Sequence, residues 1–308
     1  MGTTDVATTL RRLAIILLSG LLLFTLGDRA ISALAQSILK ESPNRFYAIY
    51  GGKQRHDVVL LGNSRADQHF DPATITRLTG LSATNFGLGL VSPTLSEALF
   101  KDYVEKNGAP KLVLIEPTFA YNHPRVGQFR ALVPHSPRVK AMLDETEPRY
   151  GAALTVSHLF ALNNDLAMRG VVDLLRGRQG SRIGTGVMTA EMVEAAAKPR
   201  QLHVKDSEIA AISRIAAFAQ QNGSQVALVM TPLHPVARRA TNGLDAFLPS
   251  LPQKTGVPLI DLSASEGATH HFSDANHLNR SGVERFTERL IEAGVLGVKA
   301  SPALASLL

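Results

Sequence analysis

Residues 57–65 read DVVLLGNSR, an unbroken apolar run that stops at a glycine, an asparagine and a serine. The run lacks the polar alternation of a half-exposed strand and is too short for a helix, so it is expected to be a buried parallel strand. The same pattern recurs at 111–115 (KLVLI), 225–230 (QVALVM) and 257–262 (VPLIDL). Amphipathic stretches at 92–107, 206–222 and 280–293 lie between and after these runs. The first two end on turn signals, Gly108-Ala109-Pro110 and Asn222-Gly223. Strand and helix alternating in this way require right-handed crossovers, giving an α/β fold with helices on both faces of a parallel sheet.

Ser64 then falls at the carboxyl end of a strand, beside a helix start. Backbone N–H groups and the helix dipole there favour negative charge developing on a carbonyl under attack. A serine at that place is equally suited to capping the helix. Near the other end of the chain, Ser273-Asp274-Ala275-Asn276-His277-Leu278-Asn279 sets an aspartate and a histidine three residues apart. The carboxylate can then hold one ring nitrogen while the other takes a proton from a serine. With ten histidines in the chain, D-x-x-H alone is common; its pairing with a serine at the first strand end is more specific.

The two motifs together resemble the SGNH/GDSL hydrolases. Gly62-Asn63-Ser64 matches that superfamily's first block, and Asp274 with His277 its fifth; Asn85-Phe86-Gly87 is similar to the second block. The resemblance spans residue 57 to the last helix. It implies an SGNH/flavodoxin-like three-layer sandwich, with Ser64 as nucleophile, Asp274 and His277 completing a triad, and Gly87 giving an N–H to the oxyanion. The third block departs: where these hydrolases carry G-x-N-D, this chain has Ile115-Glu116-Pro117-Thr118. Thr118 takes the register of the donor asparagine, and Asn122 is the next amide. The departure, with the N-terminal segment described next, makes the layout similar to extracytoplasmic members that pass acyl groups to polymers beside a membrane acyltransferase.

The chain has 308 residues, of which 45% are hydrophobic and 19% charged, enough for one large domain and an appendage. No cysteine is present, which excludes disulfides, thiolate catalysis and cysteine-held metals. The net charge of +6 comes without a Lys/Arg run interleaved with aromatics, so no nucleic-acid partner is expected. Arg11 and Arg12 precede the uncharged run LAIILLSGLLLFTLG at 13–27, and Asp28 and Arg29 follow it. A positive flank before an apolar core keeps the N-terminus inside and sends the body outward. The run is short for a span of about 20 residues, a gap that arginine snorkelling and the apolar ISALA continuation can close. Ala33-Leu34-Ala35 also permits a signal peptide cleaved before Gln36, although Asp28 and Arg29 between core and site favour an uncleaved anchor. Either way, the expected location is the outer side of an inner membrane, the periplasm, with a single pass if the anchor is kept.

These readings divide the chain into an anchor or signal segment (1–35), a connector (36–55), an SGNH-like catalytic domain (56–298) and a tail (299–308). Residues 121–200 break the strand–helix rhythm and are rich in Arg, Pro and His; they are expected to form a helical insertion capping the strand ends. Arg125, Arg130, Arg138 and Arg149 within it suit either an acidic sugar or a solvated face. Arg65 and His234, the latter in Thr231-Pro232-Leu233-His234-Pro235, are candidate substrate contacts, as is Asn122. His270 and His271 lack further ligand spacing, and no phosphate-binding glycine loop is present, so neither metal nor cofactor is expected. The expected activity is serine-dependent O-acyl transfer or ester hydrolysis on a cell-surface or exported polysaccharide, alongside a membrane acyltransferase or polysaccharide synthase. The competing expectation is an inactive scaffold that binds the polymer or such a subunit.

Overall fold

The computed structural model describes residues 3–52, 54–89, 92–118, 125–180 and 182–297. The chain forms two units, one of residues 1–47 with 126–178, the other of residues 48–125 with 179–308.

The second unit holds a five-stranded parallel sheet of β1 (Val58–Leu61), β2 (Ala83–Asn85), β3 (Leu112–Ile115), β4 (Gln225–Met230) and β5 (Leu259–Asp261), in the order β2-β1-β3-β4-β5. This is the doubly wound order of flavodoxin-like sheets, with its switch point between β1 and β3. In register, Val58 lies opposite both Ala83 and Leu112, and Leu61 opposite Ile115. Alternate residues of the strands, Val58, Leu60, Leu112, Leu114, Ala227 and Val229, join a core with Phe70, which follows the helix Ser64–His69, and with Ile75, Phe286 and Leu290 from helices on one face. The helices Pro93–Asn107 and Asp206–Gln221 pack against each other and bury Leu95, Leu99, Ile212 and Ile215. Both faces of the sheet therefore need apolar residues, which is why the strands read as unbroken runs. β2 was not expected, because Ala83-Thr84-Asn85 is short, polar and at the sheet edge.

The first unit is built on α1 (Thr3–Leu39), a single helix long and apolar enough to cross a membrane. The side chains of residues 7–24 are all exposed, whereas from residue 28 one stripe is buried: Asp28, Ser32, Gln36 and Leu39, at helical spacing. The Asp28 carboxylate accepts from the Ser157 hydroxyl and from the N–H groups of His158 (2.7 Å) and Leu159 (3.2 Å), which caps the short 3-10 helix His158–Leu162. Gln36 donates to the Ala131 carbonyl (3.2 Å), and its oxygen lies 2.9 Å from Nε2 of His135.

Residues expected as a polar connector are structured. The sequence RFYAIYG forms α2 (Arg45–Gly51), with Phe46, Tyr47, Ile49 and Tyr50 buried, since four large apolar side chains in one short stretch are too costly to leave in water. The expected insertion at 121–200 is divided as well. Residues 126–178 fold with α1, whereas residues 179–200 belong to the sheet unit, where the Met188 N–H donates to the Phe272 carbonyl (2.8 Å). Within residues 126–178 the helix Pro148–Val156 ends at Ser157, and a new helix, Asp165–Arg176, starts with Asn164 as its cap.

Candidate active site

Open parallel sheets bind ligands outside the carboxyl ends of their strands, at the switch point. β1 is followed there by Gly62 and β3 by Glu116. Gly62 has a φ of +144°, and a Cβ on it would sit 2.7 Å from that of Ala66 and 2.8 Å from that of Glu116. Only glycine lets the chain turn in that space. Asn63 caps the helix that follows, α3 (Ser64–His69), its side-chain oxygen accepting from the Arg65 N–H at 2.8 Å. The cap is therefore Asn63, which leaves the Ser64 hydroxyl free for other work.

Ser64 Oγ lies 2.9 Å from Nε2 of His277, whose Nδ1 lies 2.9 and 3.0 Å from the two carboxylate oxygens of Asp274. Residues Phe272–Asp274 and His277–Leu278 form a tight antiparallel pair, so the aspartate and histidine arise from one hairpin. Asp274 Oδ1 also accepts from the N–H groups of Asn276 (2.8 Å) and His277 (3.1 Å). Burial raises the Asp274 carboxyl, but the His277 ring and these two N–H groups outweigh it and hold the group below the ordinary carboxylate range. An ionised Asp274 fixes the Nδ1–H tautomer and turns Nε2 toward the serine proton. The hairpin is held from behind by fully buried His69, whose Nε2 accepts from the Leu278 N–H at 3.0 Å. Burial, followed by the charges of His277 and Arg65, pushes His69 well below the usual imidazole range, so it is neutral.

The expected oxyanion donors are placed differently. Gly87 donates its N–H to the Asn85 side chain (2.7 Å), and Asn85 in turn donates to the carbonyls of Ala66 and Phe70. Asn85-Phe86-Gly87 therefore ties the sheet to α3, and a Cβ on Gly87 would lie 2.5 Å from the Asp67 nitrogen. Gly89, two residues on, lines the cavity beside the serine; a Cβ there would be 3.6 Å from that of Ser64. Its N–H has no acceptor among the described residues, and Ser64 heads α3, where a backbone N–H has no acceptor within the helix. Among the described residues, these two amides lie beside the serine without an acceptor, as an oxyanion would need. The second glycine of Asn-Phe-Gly-Leu-Gly was the signal for Gly89.

Thr118 is 7% exposed and donates its hydroxyl to the Glu116 carboxylate at 2.8 Å, while accepting from the Arg65 guanidinium. Asn63 Nδ2 donates to the Thr118 carbonyl. Arg65 forms a buried ion pair with Glu116, against the sulfur of Met230. Thus the altered third block is answered by the residue after the nucleophile, and both Thr118 and Arg65 serve the cavity wall instead of reaching into it. His234 is buried, its Nε2 3.1 Å from the Thr269 hydroxyl and its ring edge-on to Phe272; it does not line the cavity. Asn122 lies outside the described residues. Arg130 lies over the rings of Tyr150 and Phe160 and donates to the carbonyls of Gly127 and Phe160, a structural use. His271 pairs with Glu266 (2.9 Å), and no cluster suited to a metal occurs among the described residues.

The cavity over Ser64 measures about 550 Å³. Its walls are Met230, Leu233, Leu202 and Leu244 on apolar sides and Asn276, Gln201, His203 and Arg200 on polar ones. Among the described residues of the expected insertion, only the last, Arg200, takes part. A serine held against a histidine–carboxylate pair, with two amides alongside, can attack an acyl carbonyl and stabilise the resulting oxyanion.

No protein-family model matches the chain, and no curated relative does. Among solved structures, the chain is similar to one provisionally described as a platelet activating factor from Streptococcus pneumonia, at 10% identity over 91% of this chain and 98% of that one, with a TM-score of 0.41. It is also similar to a GDSL-like lipase from Bacteroides thetaiotaomicron, at 12% identity over 77% of this chain and 88% of that one, with a TM-score of 0.37. Neither likeness carries weight for the chemistry, which stands on the site geometry.

Proposed function

We propose that this protein is an SGNH-type serine O-acyltransferase or esterase that acts on a cell-surface or exported polysaccharide. The observation that carries the reading is the line from Asp274 through His277 to Ser64, opening into a cavity large enough for an acyl group and a sugar. Ser64 Oγ attacks the acyl carbonyl as Nε2 of His277 takes its proton. The proton then passes to the departing alcohol oxygen, leaving an acyl-serine. A sugar hydroxyl or a water, deprotonated by the same nitrogen, displaces the acyl group and restores the serine. The acceptor alone distinguishes transferase from esterase.

The N-terminal helix supports a retained inner-membrane anchor, with the sheet unit in the periplasm. Arg11 and Arg12 mark the inner flank. Cleavage after Ala35 would remove Asp28 and Ser32 from the interior of their unit and uncap His158–Leu162, so we read α1 as anchor and structural element together. A membrane acyltransferase or polysaccharide synthase is the proposed partner, since an acyl donor must reach the site from the membrane. One observation favours the scaffold reading: Thr118 and Asn63, the side chains nearest to a third oxyanion donor, are bonded to the wall. A fluorophosphonate probe separates the two. Labelling of the wild-type protein that disappears in Ser64→Ala is expected; a Ser64 that stays unlabelled, with polymer acylation in cells unchanged in Ser64→Ala, would sink the enzyme reading.

A further inference from the structure

Arg200 is a charged wall residue of the cavity that has no ion-pair partner among the described residues. It is half-buried, its Nε donates to the Thr241 hydroxyl (2.8 Å), and one terminal nitrogen donates at long range to the Ala237 carbonyl (3.4 Å). No carboxylate of the described residues lies within ion-pair distance of it, whereas the other arginine of the wall, Arg65, is satisfied by Glu116. A guanidinium carries five N–H donors in a planar fork, so most of the Arg200 fork is free to meet a ligand. Its position is set by more than its own side chain. Arg200 and Gln201 pair in parallel with Thr241 and Asn242, and the bond to Thr241 holds the stem, so the fork is pre-organised.

Arg200 lines the same cavity as Asn276 and His277 of the Asp274–His277 hairpin. His277 is the group that hands a proton to the departing alcohol and takes one from the acceptor; the alcohol portion of the substrate therefore lies on that side. The apolar residues Met230, Leu233 and Leu244 remain for the acyl portion.

Resting on the acyl-transfer reading, we propose that Arg200 binds a carboxylate on the alcohol portion of the substrate, as on a uronic-acid residue, and so selects an acidic sugar as the one acylated or deacylated. A planar two-oxygen anion matches the fork, and a half-buried site strengthens the pair relative to water. Arg200 does not touch the reacting atoms; its role is specificity.

The test uses the full chain in detergent, with acetylated methyl glucuronoside and acetylated methyl glucoside as probes and acetate release as readout. The wild type is expected to prefer the acid. Arg200→Gln should lower kcat/KM for the acid by about 10- to 100-fold, chiefly through KM, and leave the neutral ester within about twofold. Arg200→Lys should recover part of the loss. An equal loss on both esters, or no preference in the wild type, overturns the proposal. Fluorophosphonate labelling of Ser64, measured alongside, reports the acylation reading independently. Should labelling fail, calorimetric binding of methyl glucuronoside and methyl glucoside to Ser64→Ala still decides the Arg200 proposal. Tighter binding of the acid, lost on adding Arg200→Gln, supports it; equal binding of the two overturns it.

Discussion

The two units of this chain bury polar groups for opposite ends. In the unit built on α1, Asp28, Gln36 and Asn44 are bonded to partners within the unit: Asp28 to the 3-10 helix it caps, Gln36 to Ala131 and His135, Asn44 to Asp173. In the sheet unit the polar groups at the strand ends form a chain of bonds that stops short. Asn63, Thr118, Glu116 and Arg65 satisfy one another, while the Ser64 and Gly89 N–H groups and most of the Arg200 fork have no acceptor among the described residues. Saturated polar groups fix a structure, and unsaturated ones held by saturated neighbours make a site. On this view, substitutions in the two units should separate chemistry from stability.

The largest effect should come where the bonds stop. His277→Ala and Asp274→Asn should each lower acyl transfer by about ten-thousandfold, and combining either with Ser64→Ala should add little, because the three act as one unit. Denaturation midpoints should barely move, since Ser64 and Asp274 are only part-buried. Rates for the double variants that equal the product of the single losses would show that Ser64 and His277 do not work together. The next effect lies one layer down. Glu116→Ala leaves the Arg65 charge buried and unanswered, at a cost of about 3–5 kcal/mol in chemical denaturation, whereas Arg65→Met with Glu116→Leu should be close to neutral. A single variant as stable as the double would mean that the pair does not hold the wall.

What was legible in the sequence divides along the same line. The strands around Val59, Val113 and Leu228 stood out, because a strand buried on both faces leaves no polar gap. Ser64, Asp274 and His277 stood out because each motif carries its own chemistry within a few residues. The pairing of Arg65 with Glu116 did not, since two charged residues so far apart in sequence show no mutual spacing; Glu116 registered only as a departure from a block. Arg200 was hidden in a segment read as an insertion, because its role depends on a two-residue pairing with Thr241 that no local pattern announces. The displacement from Gly87 to Gly89 has a local cause. Gly87 is required by its close approach to α3, whereas a Cβ on Gly89 would make an ordinary contact, and only the bond from Gly87 to Asn85 shows which N–H is already taken.

A smaller effect is expected for Asp28→Ala. It strips the acceptor from the His158 and Leu159 N–H groups and should cost about 1–3 kcal/mol, confined to the α1 unit. Hydrogen exchange should quicken over residues 157–162 while the rate of Ser64 labelling stays at the wild-type value. Slower labelling would contradict the separation of the two units.

The smallest effect is one of pH, and it falls on His135. Burial first, and then the charge of Lys40, push this histidine from the usual 6.5 down to about 4, while Gln36 accepts from its Nε2–H at 2.9 Å. The folded unit therefore holds His135 neutral, and the unfolded chain takes up the proton more readily. Stability rises with pH wherever the unfolded state binds more protons. The contribution is thus fully present above pH 6.5, falls as the pH drops from 6.5 toward about 4, and changes no further below that. The ring keeps some solvent contact, so the slope is shallower than for a fully buried group. His69 in the sheet unit shifts in the same direction, so acid weakens both units, and His135→Gln is what tells them apart. A glutamine can still donate to Gln36 but cannot take up a proton. Exchange over residues 28–39, measured in detergent at pH 7 and pH 5, should speed up on acidification in the wild type and less so in His135→Gln, with the strands of the sheet unaffected by the substitution. An identical acid response in both proteins would assign the pH dependence of the α1 unit to another group.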